Sequence, residues 1–157
     1  MNPVNLQRRS RIIEARPLLY TASERVFLVR IFIVDDSATA RAALKTALEQ
    51  RPEWVVVGEA FSGHHALATF HVHTPHITLM DFIMPQMNGL EAARLLHERH
   101  PDVLILMVTA DPSKQLEREA RRVGIKGLCG KNEIQCLLSA IEAIMDGGTY
   151  FSEHAAA

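Results

Sequence analysis

The chain has 157 residues, 48% of them hydrophobic and 22% charged, which suits one globular domain with a little to spare and excludes a disordered chain. Its apolar runs fall far short of a membrane span, and the basic N-terminus lacks the apolar stretch and cleavage site of a signal peptide, so a cytoplasmic protein is expected. The net charge of −1 hides an asymmetry: residues 1–30 carry six Arg against Glu14 and Glu24, and the remainder is acidic, which argues against a broad nucleic-acid surface on the body.

Residues 1–28 therefore read as a basic extension, expected to be disordered or partly helical. From about Val29 two textures alternate. Short, continuously apolar, β-branched runs occur at Ile31–Val34, Val55–Val57, Ile77–Met80 and Val103–Val108, with a weaker one at Gly127–Cys129. Such runs mark strands covered on both faces. Between them lie helical stretches: Ala40–Gln50 with Leu44, Ala47 and Leu48 on one face, and Gly63–His71 with Leu67 and Phe70. A third helix starts at Asn88, with Glu91 placed for a capping box, and carries Leu90, Ala93 and Leu96. A strongly charged helix at 115–123 shows a narrow Leu116, Ala120, Val123 stripe closed by Gly124 as a left-handed cap. The last helix carries Ile134, Leu137, Leu138, Ile141 and Ile144 and ends at Gly147-Gly148. The β-α unit recurs five times, which predicts a doubly wound α/β fold with a parallel five-stranded sheet.

In such sheets ligands bind beyond the carboxyl ends of the strands. The first predicted strand ends in Asp35-Asp36, the third in Asp81, the fourth in Thr109, and Lys131 follows the fifth. Three convergent carboxylates repel one another, and Mg²⁺ is the hard cation that suits them. With a hydroxyl and a lysine nearby, the set suits a phosphoryl group, and a carboxylate can accept one. Each residue has a plainer reading when taken alone: a helix cap for Asp35-Asp36-Ser37, a loop acid for Asp81, a backbone-bonded strand residue for Thr109, a solvated lysine for Lys131. Their joint occurrence at successive strand ends favours a site.

Ile33-Val34-Asp35-Asp36-Ser37, the stretch Leu79-Met80-Asp81-Phe82-Ile83-Met84-Pro85-Gln86-Met87-Asn88-Gly89, Val108-Thr109-Ala110 and Lys131 together resemble the receiver domain of two-component response regulators. The resemblance runs over residues 29–153 and leaves a tail at 154–157. It implies a flavodoxin-like sheet of strand order 2-1-3-4-5. It makes Asp81 the phosphoacceptor for a phosphohistidine on a sensor histidine kinase or phosphotransfer protein. Asp36 and Asp81 would bind Mg²⁺ directly, Asp35 largely through water, and the Ile83 carbonyl would complete the protein ligands. Thr109 and Lys131 would contact the phosphoryl oxygens. The helix 115–123, the fifth strand and the last helix would face a downstream protein or a second copy. Gly147–Ser152 is similar to receivers that feed helix-turn-helix outputs of the LuxR/NarL type.

Two positions depart from that family. Leu128 stands where an aromatic residue is usual, and Asn132 replaces the proline after the lysine, so no cis Lys-Pro bond forms. Histidines crowd His64, His65, His71, His73 and His76 without regular ligand spacing and are expected at the surface. Trp54 is expected to pack at a sheet edge. Cys129 and Cys136 match neither a disulfide framework nor a zinc site and are expected to pack as small apolar residues in a reducing compartment. The expected function is a phosphoacceptor module, not a conventional enzyme, with no membrane contact. One alternative is the receiver part of a DNA-binding regulator whose helix-turn-helix is missing, since the five residues after Ser152 leave no room for one and no direct DNA binding is expected from the chain. A remote alternative is an aspartate-nucleophile phosphatase, which would place Asp-x-Asp after the first strand instead of adjacent acids.

Overall fold

The computed structural model describes residues 18–21 and 24–151. Two strands, β1 (Leu18–Thr21) and β2 (Glu24–Phe27), pair antiparallel as a small separate sheet. This differs from the disorder or helix expected for 1–28. Tyr20, Thr21, Val26 and Phe27 in these strands are residue types that favour strands, a character that the basic composition of the arm as a whole conceals. The rest of that extension, at 1–17 and 22–23, lies outside the described residues, as does the expected tail at 154–157.

The main body runs β3 (Val29–Val34), α1 (Ala38–Leu48), β4 (Trp54–Ala60), α2 (Gly63–His73), β5 (Ile77–Met80), α3 (Gly89–Arg99), β6 (Ile105–Thr109), α4 (Lys114–Arg122), β7 (Gly127–Gly130), α5 (Ile134–Met145) and β8 (Tyr150–Phe151). The sheet order is β4-β3-β5-β6-β7-β8, and every pair is parallel. Its first five strands follow the expected 2-1-3-4-5 order. The added edge strand β8 pairs Tyr150 and Phe151 with Gly127 and Leu128.

The continuous apolar texture of the strands has a direct cause, because both sheet faces are covered. Phe32 and Val34 of β3 point to one face with Met80, Met107 and Leu128, against Phe70, Leu96 and Leu116 of α2, α3 and α4. Ile31 and Ile33 point to the other with Leu79, Leu106 and Cys129, against Leu44 and Leu48 of α1 and Leu137, Ile141 and Ile144 of α5. At about 25 cal/mol per Å² of buried apolar surface, these two layers are the main source of stability. The predicted stripes are buried, or at Leu67, Leu90 and Val123 partly buried against the core, except at Ile134, which is 45% exposed. It is the first residue of α5.

Four helices begin with a polar side chain that accepts a backbone N–H: Ser37 from Ala40, Ser62 from His65, Asn88 from Glu91 and Ser113 from Leu116. Each satisfies one of the amides left free in a first turn. Helix α5 differs, because Glu133 at its N-cap position makes no side-chain capping bond. Gly124 does adopt the left-handed conformation, at φ +85°. Trp54 opens the edge strand β4 and packs half-buried against the second core layer. Among the described residues no helix is long and apolar enough to cross a membrane.

Candidate functional site

The strands are all parallel, so the carboxyl ends of β3, β5, β6 and β7 lie along one edge of the sheet. One carboxylate oxygen from each of Asp35, Asp36 and Asp81 falls within 4.8 Å of the others. Asp35 and Asp81 are buried and Asp36 is exposed, so the cluster opens to water on one side. Among the described residues this is the one group of three or more acidic, histidine or cysteine side chains placed to hold a metal ion.

Lys131 enters from the loop after β7. Its Nζ lies 2.6 Å from Asp35 Oδ2 and 3.2 Å from Asp81 Oδ2. Burial works against the ammonium, yet its bond to Asp35 and the charges of Asp81 and Asp35 outweigh this and hold its pKa above the usual lysine value. The same crowding acts oppositely on Asp81. Burial first, and then the Asp35 charge, push its carboxyl above the ordinary aspartate range, with Lys131 only partly compensating. Burial and the neighbouring acid thus act together against the charged form of Asp81.

Local sequence explains how each group is held. Asp35 Oδ1 accepts the Ser37 N–H at 2.8 Å, and the Asp35 carbonyl accepts Arg41 Nη1 at 2.8 Å. Arg41 Nε in turn reaches Glu59 Oε1 at 3.1 Å, and Lys45 donates to Glu59 Oε2 at 2.7 Å. The Lys45 bond, followed by Lys45's charge and Arg41, lowers the Glu59 pKa against the opposing effect of burial. For Asp81 the anchoring comes from the residues after it. Met84 and Met87 are only 7% exposed and sink into the first core layer, while Ile83 between them and Asp81 is 64% exposed. Gln86 turns the loop with a positive φ of 68°. Gly89 donates its N–H to the Phe82 carbonyl at 2.8 Å, and a Cβ on Gly89 would collide with the Asp81 carbonyl oxygen. The Met-Pro-x-Met-Asn-Gly pattern is thus a packing and capping device that fixes the backbone of Asp81.

Thr109 is fully buried at the end of β6. Its carbonyl accepts the Lys131 N–H at 2.8 Å, while its hydroxyl accepts the Asp111 N–H at 3.4 Å. The structure therefore brings Asp35, Asp36, Asp81 and Lys131 into one cluster and joins Thr109 to it through the backbone. Ile83 stands in the loop two residues beyond Asp81, with its side chain turned to solvent.

Two features were not foreseen. Arg41 carries no local signal, since a lone arginine on a helix reads as solvated until the fold lays α1 beside β4. Cys129 and Cys136 are joined as a disulfide, correcting the expectation of two separate apolar thiols. Their Cα atoms are 6.1 Å apart, a separation set by docking α5 on β7 and invisible in a gap of seven residues. Among the described residues the histidines form no group placed to hold a metal ion. His73 stacks on Phe32 at 5.0 Å, His65 on Phe61 at 4.2 Å, and His76 Nδ1 accepts the Arg30 N–H at 3.1 Å.

Fold and site together define a doubly wound α/β domain with an acidic, lysine-tethered pocket at the carboxyl edge of its sheet. The chain belongs to the response regulator receiver domain family, whose model matches residues 31–142, and so carries a receiver domain of two-component response regulators. It is 31% identical over 123 residues to the transcriptional regulatory protein DegU of Brevibacillus brevis, spanning 78% of this chain and 52% of that protein. It is likewise 31% identical over 126 residues to the response regulator UvrY of Escherichia coli K12, spanning 80% of this chain and 58% of the relative. A LuxR-family two-component response regulator from Aurantimonas sp. SI85-9A1 superposes with a TM-score of 0.79 at 31% identity, over 82% of this chain and 93% of that structure. The chain spans about half the length of the curated relatives it matches.

Proposed function

We propose that Asp81 is the phosphoacceptor of a two-component phosphorelay. The carrying observation is its placement: a buried carboxylate at the end of β5, 3.2 Å from Lys131 Nζ and clustered with two further acids. An Asp81 oxygen attacks the phosphorus of a phosphohistidine on a sensor kinase or phosphotransfer protein. The P–N bond breaks, the imidazole leaves with a proton, and an acyl phosphate forms. Lys131 neutralises one phosphoryl oxygen, and Thr109 turns its hydroxyl toward another. The donor set fits Mg²⁺, with Asp36 and Asp81 as direct ligands, Asp35 acting largely through water and the Ile83 carbonyl completing the set. When bound, the cation offsets the charge of the carboxylates and of the incoming phosphoryl oxygens. The chain assists its own phosphorylation and dephosphorylation and is not a turnover enzyme. The cytoplasm is its proposed location.

Output is a population shift. Movement of the Thr109 hydroxyl away from Asp111 biases the loop before α4, and the face formed by α4, β7 and α5 meets a downstream protein or a second copy. Arg121 of α4 lies 3.7 Å from the Phe151 ring centroid of β8, so this face is already tied to the sheet edge. Leu128 is buried in the first core layer, and an aliphatic side chain there leaves the loop after Thr109 as the moving part. The names of the relatives favour a second reading at the level of output, in which the receiver controls a transcription regulator. Specific DNA retention by this chain alone, at near-physiological salt, would support direct contact over action through a partner.

With Mg²⁺ and acetyl phosphate, one phosphoryl group per chain is expected by intact mass, and none in Asp81→Asn. Full labelling of Asp81→Asn overturns the assignment. Many turnovers of a phosphomonoester would favour a phosphatase instead.

A further inference from the structure

The loop that carries Lys131 is closed by a covalent bond. Cys129 lies on β7 with no exposed surface, and Cys136 lies half-buried in the first turn of α5. Their Cα separation of 6.1 Å falls within the span that a disulfide bridges without backbone movement. The ring so formed runs from residue 129 to 136 and contains Lys131, whose N–H is tied to Thr109 and whose Nζ touches Asp35 and Asp81. At the other strand ends helices start with polar caps, whereas α5 starts with none. The disulfide joins its first turn to β7 beside the core packing of Leu137.

A domain with two full core layers does not need a staple to fold. In reducing compartments, disulfides that do form are usually transient and serve catalysis or sensing. The two sulfurs also differ in access. Cys136 is half-buried in the first turn of α5 and reachable from solvent. Cys129 is enclosed and can react only with its neighbour.

We propose that Cys129 and Cys136 form a reversible dithiol–disulfide site for a glutathione-type small-molecule disulfide, and that its oxidation state sets how readily Asp81 is phosphorylated. The second half rests on the phosphoacceptor reading of Asp81. In the oxidising direction the Cys136 thiolate attacks one sulfur of R–S–S–R and expels a thiolate, which takes up a proton. Cys129 then loses its proton and attacks the Cys136 sulfur, expelling the second thiolate. Two protein thiols are oxidised to one disulfide, and one R–S–S–R is reduced to two R–SH. The closed ring holds Lys131 on Asp35. Opening it frees the 130–135 segment, so that Lys131 can follow a phosphoryl group on Asp81.

The whole chain, equilibrated across a series of glutathione disulfide-to-thiol ratios, is trapped in acid and its thiols counted with a maleimide. Both thiols are expected to disappear together without an inter-chain species. Two thiols that stay free at every ratio overturn the site. Phosphorylation by acetyl phosphate with Mg²⁺ is expected to be about threefold or more faster in the reduced protein. Cys136→Ser and Cys136→Ala are expected to match the reduced rate in both buffers. Equal rates for oxidised and reduced wild type overturn the coupling, as does a redox dependence that survives in both variants. Absence of label in every state overturns the Asp81 reading and the coupling with it, whereas the thiol count still decides the redox site.

Discussion

The ends of β5 and β7 hold charged groups of the same site by different physical means. After β5, Asp81 is positioned by packing: Met84 and Met87 are sunk in the core, and Gly89 lies so close that a side chain would meet the Asp81 carbonyl. After β7, Lys131 stands in a loop with no buried side chain between it and the helix, tied by its N–H to Thr109 and enclosed by the Cys129–Cys136 bond. Packing is permanent, because removing it leaves a cavity. A disulfide can be opened and remade by small-molecule thiols. The acceptor therefore sits on the fixed side of the cluster, and the lysine on the side that chemistry can loosen.

The fixed side should fail hardest when touched. Gly89→Ala forces its new methyl into the Asp81 carbonyl, and a loss of about 3 kcal/mol in urea unfolding is expected together with lost phosphorylation, since overpacking against backbone finds no soft neighbour. Wild-type stability in that variant would show that the loop is looser than its contacts imply. Met84→Ala, which opens a cavity under the same loop, should destabilise by about 2 kcal/mol. It should slow phosphorylation without abolishing it, a split readable from unfolding and labelling on one sample.

Asp81→Asn should act in the opposite sense on stability. The Asp81 pKa is raised by burial and by Asp35, so the native state holds a proton at pH values where the unfolded chain has released it. Stability then rises as pH falls from neutral through the raised folded value, with the gain complete below the unfolded value. Removing the charge relieves that penalty at neutral pH. Without divalent cation, Asp81→Asn is expected to melt about 2–4 °C above wild type at pH 7, with the gap closing as the pH is lowered. A variant that melts lower at pH 7 would mean that Lys131 binds Asp81 more strongly than the crowding penalises it.

Smallest is the flank of the site. Glu59 is partly exposed between Arg41 and Lys45, and its pKa is lowered chiefly by the Lys45 bond. The stabilisation is present above the unfolded pKa and is lost as pH falls through the lower folded one. Glu59→Gln should destabilise by about 0.5–1 kcal/mol at pH 7, less in high salt. A larger loss would mark the Arg41 bridge as a support of the Asp35 backbone in its own right.

Much of the molecule is legible in its sequence. Strands buried on both faces leave uninterrupted apolar runs, and helices leave stripes and caps such as Asn88 and Gly124, because these patterns are local consequences of burial and backbone geometry. Doubly wound sheets bring strand ends together by topology, so Asp35, Asp36 and Asp81 could be grouped from their positions alone. The short strands at 18–27 and at Tyr150–Phe151 escaped, since their pairing is decided by neighbours and not by their own pattern. Ile134 fits its stripe yet is exposed, because periodicity reports a helix face and not which of its residues a neighbouring element covers.

The sequence by itself determined the fold class, the strand-end acids, the lysine and the family, since each is written in residue types at fixed offsets along the chain. Tertiary structure alone decided what those groups touch. It set Lys131 closer to Asp35 than to Asp81, laid Arg41 on the Asp35 carbonyl, and brought Cys129 and Cys136 within bonding reach. Those contacts join elements whose separation is fixed by the packing of helices on the sheet, a distance that no pattern along a single strand or helix encodes.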